Sequence, residues 1–253
     1  MRMSRYKGGG CCGTRPAFVL ALLTWAALSA NSFTIQPISQ TFAPQGSGSS
    51  RTFQLHNPGR SSIAVELSML TRQLQPDGTE IREPADELFS VFPSRLILEP
   101  DERRTVRVRW TGPDDISQEK AYRLLAEQLP VSFEEDQAAQ GGVINIAFRY
   151  LAAVYITPPQ SRPDVQISID SDAPEGDSEL FVRLENTGTA HQLLNGLEIT
   201  ITLQDGSTVI FAQDELEGLA YYNLLAGTYR RYRLELPSGS AAGAQNVEFS
   251  LSN

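Results

Sequence analysis

Large apolar residues alternate with polar or small ones at a period of two along much of the chain, the repeat of a half-buried β-strand. Ser62–Leu70 reads this way around Ile63, Val65, Leu67 and Met69. Thr105–Trp110 does so around Val106, Val108 and Trp110, and Val165–Ile169 around Val165, Ile167 and Ile169. The longest such run opens at Gly141-Gly142 and continues through Ile156 to Thr157-Pro158-Pro159. In it Ile144, Ile146, Phe148 and Tyr150 fall on one side of an extended strand, and Asn145, Ala147 and Arg149 on the other. A strand with so apolar a face is covered by its own domain or presented to something else. The run before it, Phe133-Glu134-Glu135-Asp136-Gln137-Ala138-Ala139-Gln140, is too polar to be a good cover. Ala121–Leu129 has a helix-like composition, but it lies between strand patterns and is expected to be a strand itself.

Short strands punctuated by Gly, Pro, Asn and Asp predict an all-β chain of sandwich type. Asp77-Gly78 and Asp205-Gly206 are turn signals. The plan is repeated. Leu55-His56-Asn57-Pro58-Gly59 ends a strand in the first half, and Leu184-Glu185-Asn186-Thr187-Gly188 ends one in the second. Leu98-Glu99-Pro100-Asp101 precedes a strand starting at Arg103-Arg104, and Leu225-Ala226-Gly227-Thr228 precedes one starting at Arg230-Arg231. The order is the same both times, which favours two sandwiches of similar topology. Three prolines in Pro158–Pro163 cannot continue a sheet and make a stiff connection. The expected organisation is residues 33–157 as one domain, 158–163 as linker and 164–253 as a second domain.

The first 32 residues alter the picture of the rest. Arg2, Arg5, Lys7 and Arg15 precede an apolar run from Ala17 to Leu28, and Ala30-Asn31-Ser32 has the small residues of a cleavage site, so 1–32 reads as a cleaved secretory signal. The rival reading is an uncleaved anchor; the run is short for a membrane span. Both cysteines, Cys11 and Cys12, lie in this segment, leaving the mature chain without disulfide, thiolate metal site or cysteine nucleophile. Losing four basic residues and no acidic one takes the formal charge from −9 to −13. So acidic an exported chain is a poor ligand for nucleic acid or anionic membrane. A solvated surface accounts for that charge and needs no acid-specific ligand.

Catalytic chemistry is thinly provided. The only histidines, His56 and His191, each stand beside a strand end or turn and suit structural roles. No HExxH, Gly-x-Ser-x-Gly, P-loop or dinucleotide fingerprint is present. Acidic pairs such as Asp114-Asp115 and Glu134-Glu135 lie in polar loops. The expectation is a protein that is not an enzyme and has no cofactor or metal.

Taken in order, these pieces resemble the periplasmic chaperones of the chaperone–usher pathway of pilus assembly. The pieces are the opening strand Phe33–Phe42, the strand exit at Asn57, Leu98-Glu99-Pro100 leading into Thr105–Val108, Ala121–Leu125 with Glu127 and Pro130, the polar loop, and the alternating strand ending at Pro158. They span the first domain; the second matches in length and strand character only. The resemblance implies two immunoglobulin-like β-sandwiches in an L. The seventh strand of the first would fill the groove of a pilin-like subunit lacking its own last strand. The partners it implies are that subunit and an outer-membrane usher, and the location is the periplasm, with no membrane insertion after signal cleavage. The groove-filling side chains would be Ile144, Ile146 and Phe148, with Tyr150 as an extra. An apolar edge of this kind also invites self-association.

One departure from the family stands out. Well-studied members anchor the subunit's terminal carboxylate with a basic pair, and the matching positions here are Ser39 and Ala153. That points to a divergent, archaic-type branch. Arg123, in a strand expected beside the seventh, is the candidate carboxylate anchor, because a guanidinium grips a carboxylate bidentately. Pairing with an acid of its own chain, or facing solvent, are its alternatives. Arg149 should be a surface residue, and Arg107 is better explained by sheet packing and charge pairing than by partner contact. Two other functions share features of this sequence. An extracytoplasmic adhesion module with the same fold would carry specificity on loops. A pilus subunit would have one sandwich and a detached N-terminal extension.

Overall fold

The computed structural model describes residues 32–131, 147–172, 178–237 and 239–252. Residues Asn31–Asn253 form one compact unit, in which eleven strands precede the proline-rich connection. They are β1 (Thr34–Gln36), β2 (Ser39–Phe42), β3 (Ser50–His56), β4 (Ile63–Thr71), β5 (Gln73–Leu74), β6 (Glu80–Ile81), β7 (Phe89–Phe92), β8 (Arg95–Leu98), β9 (Arg103–Trp110), β10 (Lys120–Gln128) and β11 (Arg149–Ile156). One sheet has the order β1-β3-β9-β7 and the other β2-β11-β10-β4-β8, while β5 and β6 form a separate hairpin. Alternate residues of both sheets meet in a core that completely buries Phe33, Phe42, Phe53, Leu55, Met69, Leu98, Leu124 and Ile156. Each such side chain contributes ~1.5–3 kcal/mol by leaving water. Phe89, Trp110 and Tyr122 pack edge-on and tilted against one another at centroid distances of 5.0–5.6 Å, a preferred arrangement of aromatic quadrupoles.

Segment 121–129 is a strand, as expected. β10 pairs with β4 on one side and with β11 on the other, so bonds to two neighbours outweigh its helix-forming composition. Its burial alternates through Tyr122, Leu124 and Ala126.

The second sandwich contains β12 (Val165–Ile169), β13 (Glu179–Asn186), β14 (Gln192–Leu193), β15 (Leu197–Leu203), β16 (Thr208–Phe211), β17 (Asn223–Leu224), β18 (Tyr229–Glu235) and β19 (Ala244–Leu251). Its sheets run β12-β13-β18 and β16-β15-β19, with a short β14-β17 pair. Its core buries Leu184, Leu194, Leu197 and Ile199. The all-β, two-sandwich architecture is the one the sequence predicts.

The repeated strand exits have one geometry. Asn57 accepts from the Gly59 N–H and donates through Nδ2 to the carbonyls of Ser61, Leu98 and Glu99. Asn186 accepts from the Gly188 and Asp164 N–H groups and donates to the carbonyls of Ala190 and Leu224. Both asparagines are buried. Each satisfies backbone groups that the chain exposes as it turns out of the sheet.

Candidate functional site

β11 is the strand on which the sequence concentrates its signal, and it is paired unequally. On one side β10 covers it from Arg149 to Ile156. On the other, the parallel strand β2 covers only Ala153–Ile156, with one further bond from the Ala153 N–H to the Ile38 carbonyl. Among the described residues no strand pairs with Arg149–Ala152 on that side. Their backbone N–H and C=O groups form a half-edge open to an added strand.

Side chains of β11 alternate between two surroundings. Ala152, Val154 and Ile156 are buried in the core of the first sandwich, and Phe148 and Tyr150 are half-buried against the same cluster. The Tyr150 ring stands edge-on to Phe33 at 4.9 Å, and its hydroxyl donates to Ser32 Oγ at 2.9 Å. Phe148 and Tyr150 therefore sit at the mouth of their own sandwich. Ile144 and Ile146, next in the same alternation, lie outside the described residues. On the opposite face Arg149 pairs with Glu127 and is largely exposed, while Ala153 and Tyr155 pack with Leu225 of the second sandwich and with Leu74 and Ala121 of their own half.

The structure brings Ser39 and Ala153 side by side as register partners, and Arg123 is Ala153's partner on β10. Ser39, Ala153, Arg123 and Leu70 thus form one row across four strands. Arg123 is the cation of that row, and it is already engaged: Nε and Nη2 grip Glu80 at 3.0 and 2.6 Å. Arg72 and Arg82 hold the same carboxylate at 2.9 and 2.6 Å. Burial pushes the Glu80 carboxyl up, but hydrogen bonds from Arg123 and Arg82 and the charges of Arg123 and Arg72 outweigh it, lowering its pKa to about 2.

A polar seam joins this row to the second sandwich. Arg72 Nη1 and Asn223 Nδ2 both donate to the Tyr155 hydroxyl, at 2.8 and 2.6 Å. Burial raises the pKa of that hydroxyl. The Tyr155 ring stacks on His191 at 4.0 Å, and His191 Nδ1 lies 2.7 Å from Glu119 Oε1. Glu119 is almost wholly buried and also accepts from the His191 N–H and from Thr157 Oγ1. The β5–β6 hairpin makes a second bridge, since the Pro76 carbonyl accepts from the Arg231 N–H and Arg230 Nη1. Sequence reasoning missed Glu80, Arg72, Tyr155 and Glu119. Asp77-Gly78 signals the hairpin that carries Glu80; nothing local signals the other three.

The family model for the pili and flagellar-assembly chaperone, PapD N-terminal domain, matches residues 35–162, half of the chain. The chain belongs to that family. It is a chaperone of pilus assembly, and its two-sandwich architecture is that of the family's solved structures. The class 5 fimbriae chaperone CfaA is 14% identical with a TM-score of 0.58, the match covering 88% of this chain and 92% of that one. A chain of the Salmonella enterica complex of SafA pilin with the SafB chaperone is 16% identical with a TM-score of 0.52, covering 89% and 99%. A chain of the CsuC–CsuE chaperone–tip adhesion subunit pre-assembly complex, from the archaic chaperone–usher Csu pili of Acinetobacter baumannii, is 14% identical with a TM-score of 0.51, covering 79% and 89%. At these identities the likeness is one of fold. No curated protein sequence matches the chain. Among the described residues no helix is long and apolar enough to cross a membrane, and no cluster of His, Cys, Asp or Glu could hold a metal ion.

Proposed function

We propose that the chain works by lending β11 and the residues just before it to an incomplete pilin-like subunit, which it then passes to an outer-membrane usher. The observation that carries this reading is the half-edge at Arg149–Ala152, which lies ahead of the start of β2 and has no second neighbour among the described residues. A subunit strand lying there would gain main-chain hydrogen bonds worth ~0.5–1.5 kcal/mol each. Ile144, Ile146, Phe148 and Tyr150 are the side chains that would enter the subunit's groove; an apolar side chain moved there from water contributes ~1.5–3 kcal/mol, and Phe148 and Tyr150, already half-buried against their own core, contribute less. The proteins of similar fold include chaperones solved with a pilin and with a tip subunit, in keeping with this role.

Location and chemistry follow from the same reading. Residues 1–32 would direct export and be removed, so that the chaperone acts in the periplasm, without enzymatic activity. The subunit's terminal carboxylate would meet a row with no cation at Ser39 or Ala153 and would have to share Arg123 with Glu80.

The test is recovery of a small pilin-like protein with the chaperone from periplasm. Ile146→Asp and Phe148→Asp should fold, judged by circular dichroism and thermal melting, yet lose the subunit. Arg123→Ala should weaken capture without abolishing it. Subunit recovery at wild-type levels by both strand variants would refute the reading.

A further inference from the structure

The sheet on the far side of the first sandwich, β1-β3-β9-β7, turns an unusual face outward. Its outward positions are Thr34 and Gln36 on β1, Ser50, Thr52, Gln54 and His56 on β3, Arg103, Thr105, Arg107 and Arg109 on β9, and Ser90 and Phe92 on β7. None of them is acidic. Asp101, in the turn before β9, reaches one end, where it lies 2.9 Å from His56 and is stabilised first by that histidine and then by Arg103. Arg107 and Arg109 have no such neighbour. Both are exposed, and no carboxylate among the described residues pairs with either. Nine other arginines, Arg72, Arg82, Arg95, Arg104, Arg123, Arg149, Arg183, Arg231 and Arg233, do form ion pairs within the described chain. Arg51 and Arg230 donate to backbone carbonyls instead, whereas Arg107 and Arg109 set two guanidiniums without a carboxylate on one strand of a chain with formal charge −9.

A second observation falls on the same spot. Phe92, 75% exposed, is the most exposed large apolar side chain of the described residues. It is the register partner of Arg107, just as Ser90 is of Arg109. On the other flank Thr52 and Ser50 stand opposite the two arginines. The patch is thus an exposed aromatic beside two cations ~7 Å apart along the strand, bordered by short hydroxyl side chains that leave the guanidiniums accessible.

We infer that this face docks an acidic protein partner. The partner would present an extended segment with carboxylates two residues apart, each taken bidentately by one arginine, and an apolar group against Phe92. Carboxylates at alternate positions of an extended chain repeat at the same ~7 Å. The charge is complementary to such a surface. A second copy of this net-acidic chain lacks a described strand with paired outward carboxylates at that spacing, and a membrane would find a single apolar side chain to insert. The charge pairing expected of Arg107 is not made among the described residues, and its exposed guanidinium is free for a partner. The face belongs to the sheet that does not contain β11, so it is accessible while β11 is occupied.

Fluorescence anisotropy with a labelled eight-residue peptide alternating Asp and Leu tests this on the full mature chain. Binding should weaken at least tenfold in Arg107→Glu/Arg109→Glu and several-fold in Phe92→Ser. It should weaken about tenfold between 50 and 300 mM salt, and a peptide with Asn in place of Asp should not compete. Ile146→Asp should bind the peptide as wild type does, which separates this face from the strand-lending site. Failure of the peptide to bind wild type, or equal binding by the double variant, overturns the inference. So does preferential binding to phosphatidylglycerol vesicles or self-association abolished by the double variant, since either gives the face a different occupant.

Discussion

Glu80 carries three guanidiniums on one carboxylate, and its folded-state pKa of about 2 lies below the ordinary 4.5. A lowered acid pKa contributes stability that is complete above pH 4.5 and lost as pH falls towards about 2. That contribution is at most about 3 kcal/mol. Glu80→Gln should therefore lower stability at pH 7 by up to that amount, and urea titrations should show the wild type losing its advantage over the variant between those pH values. Asn57 and Asn186 are a second residue-level lesson. Their positions before Pro-Gly and Thr-Gly turns are visible in the sequence, but the carbonyls they satisfy belong partly to strands about forty residues away. Asn57→Ala strands several buried backbone groups and should cost about 2–4 kcal/mol in urea unfolding.

Individual strands were legible because alternation is local. β4, β9 and β12 fall where apolar residues repeat at two, while β10 was legible from its place between strand patterns, against its helix-like composition. The β5–β6 hairpin was legible only as its turn. Asp77 Oδ1 accepts from the Thr79 N–H, and Gly78 adopts a φ of +87°. A Cβ there would lie 2.9 Å from the Arg230 guanidinium carbon of the second sandwich, so Gly78 satisfies a local and a distant demand at once. Gly78→Val should destabilise by about 1–3 kcal/mol through strain at positive φ and loss of hairpin docking. If docking contributes, Arg230→Ala should recover part of that loss in a double-mutant cycle of melting curves.

The two sandwiches have separate cores but share a seam of Glu119, His191, Tyr155, Arg72 and Asn223. Glu119 is nearly sealed from solvent and serves groups from both halves. Glu119→Ala should uncouple them, splitting a single calorimetric unfolding transition into two; an undivided transition would assign the coupling to the hairpin. The all-β class, the duplicated plan and the apolar strand ending at Pro158 could all be read from the chain alone, because they depend on side-chain period and turn chemistry within a few residues. Register could not be read that way. It alone aligns Ser39, Ala153 and Arg123 in one row, commits Arg123 to Glu80 and starts β2 opposite Ala153, ahead of which Arg149–Ala152 stay open among the described residues. Each of these joins segments tens of residues apart, whose spacing is set by how the sheets pack and not by any pattern along one strand.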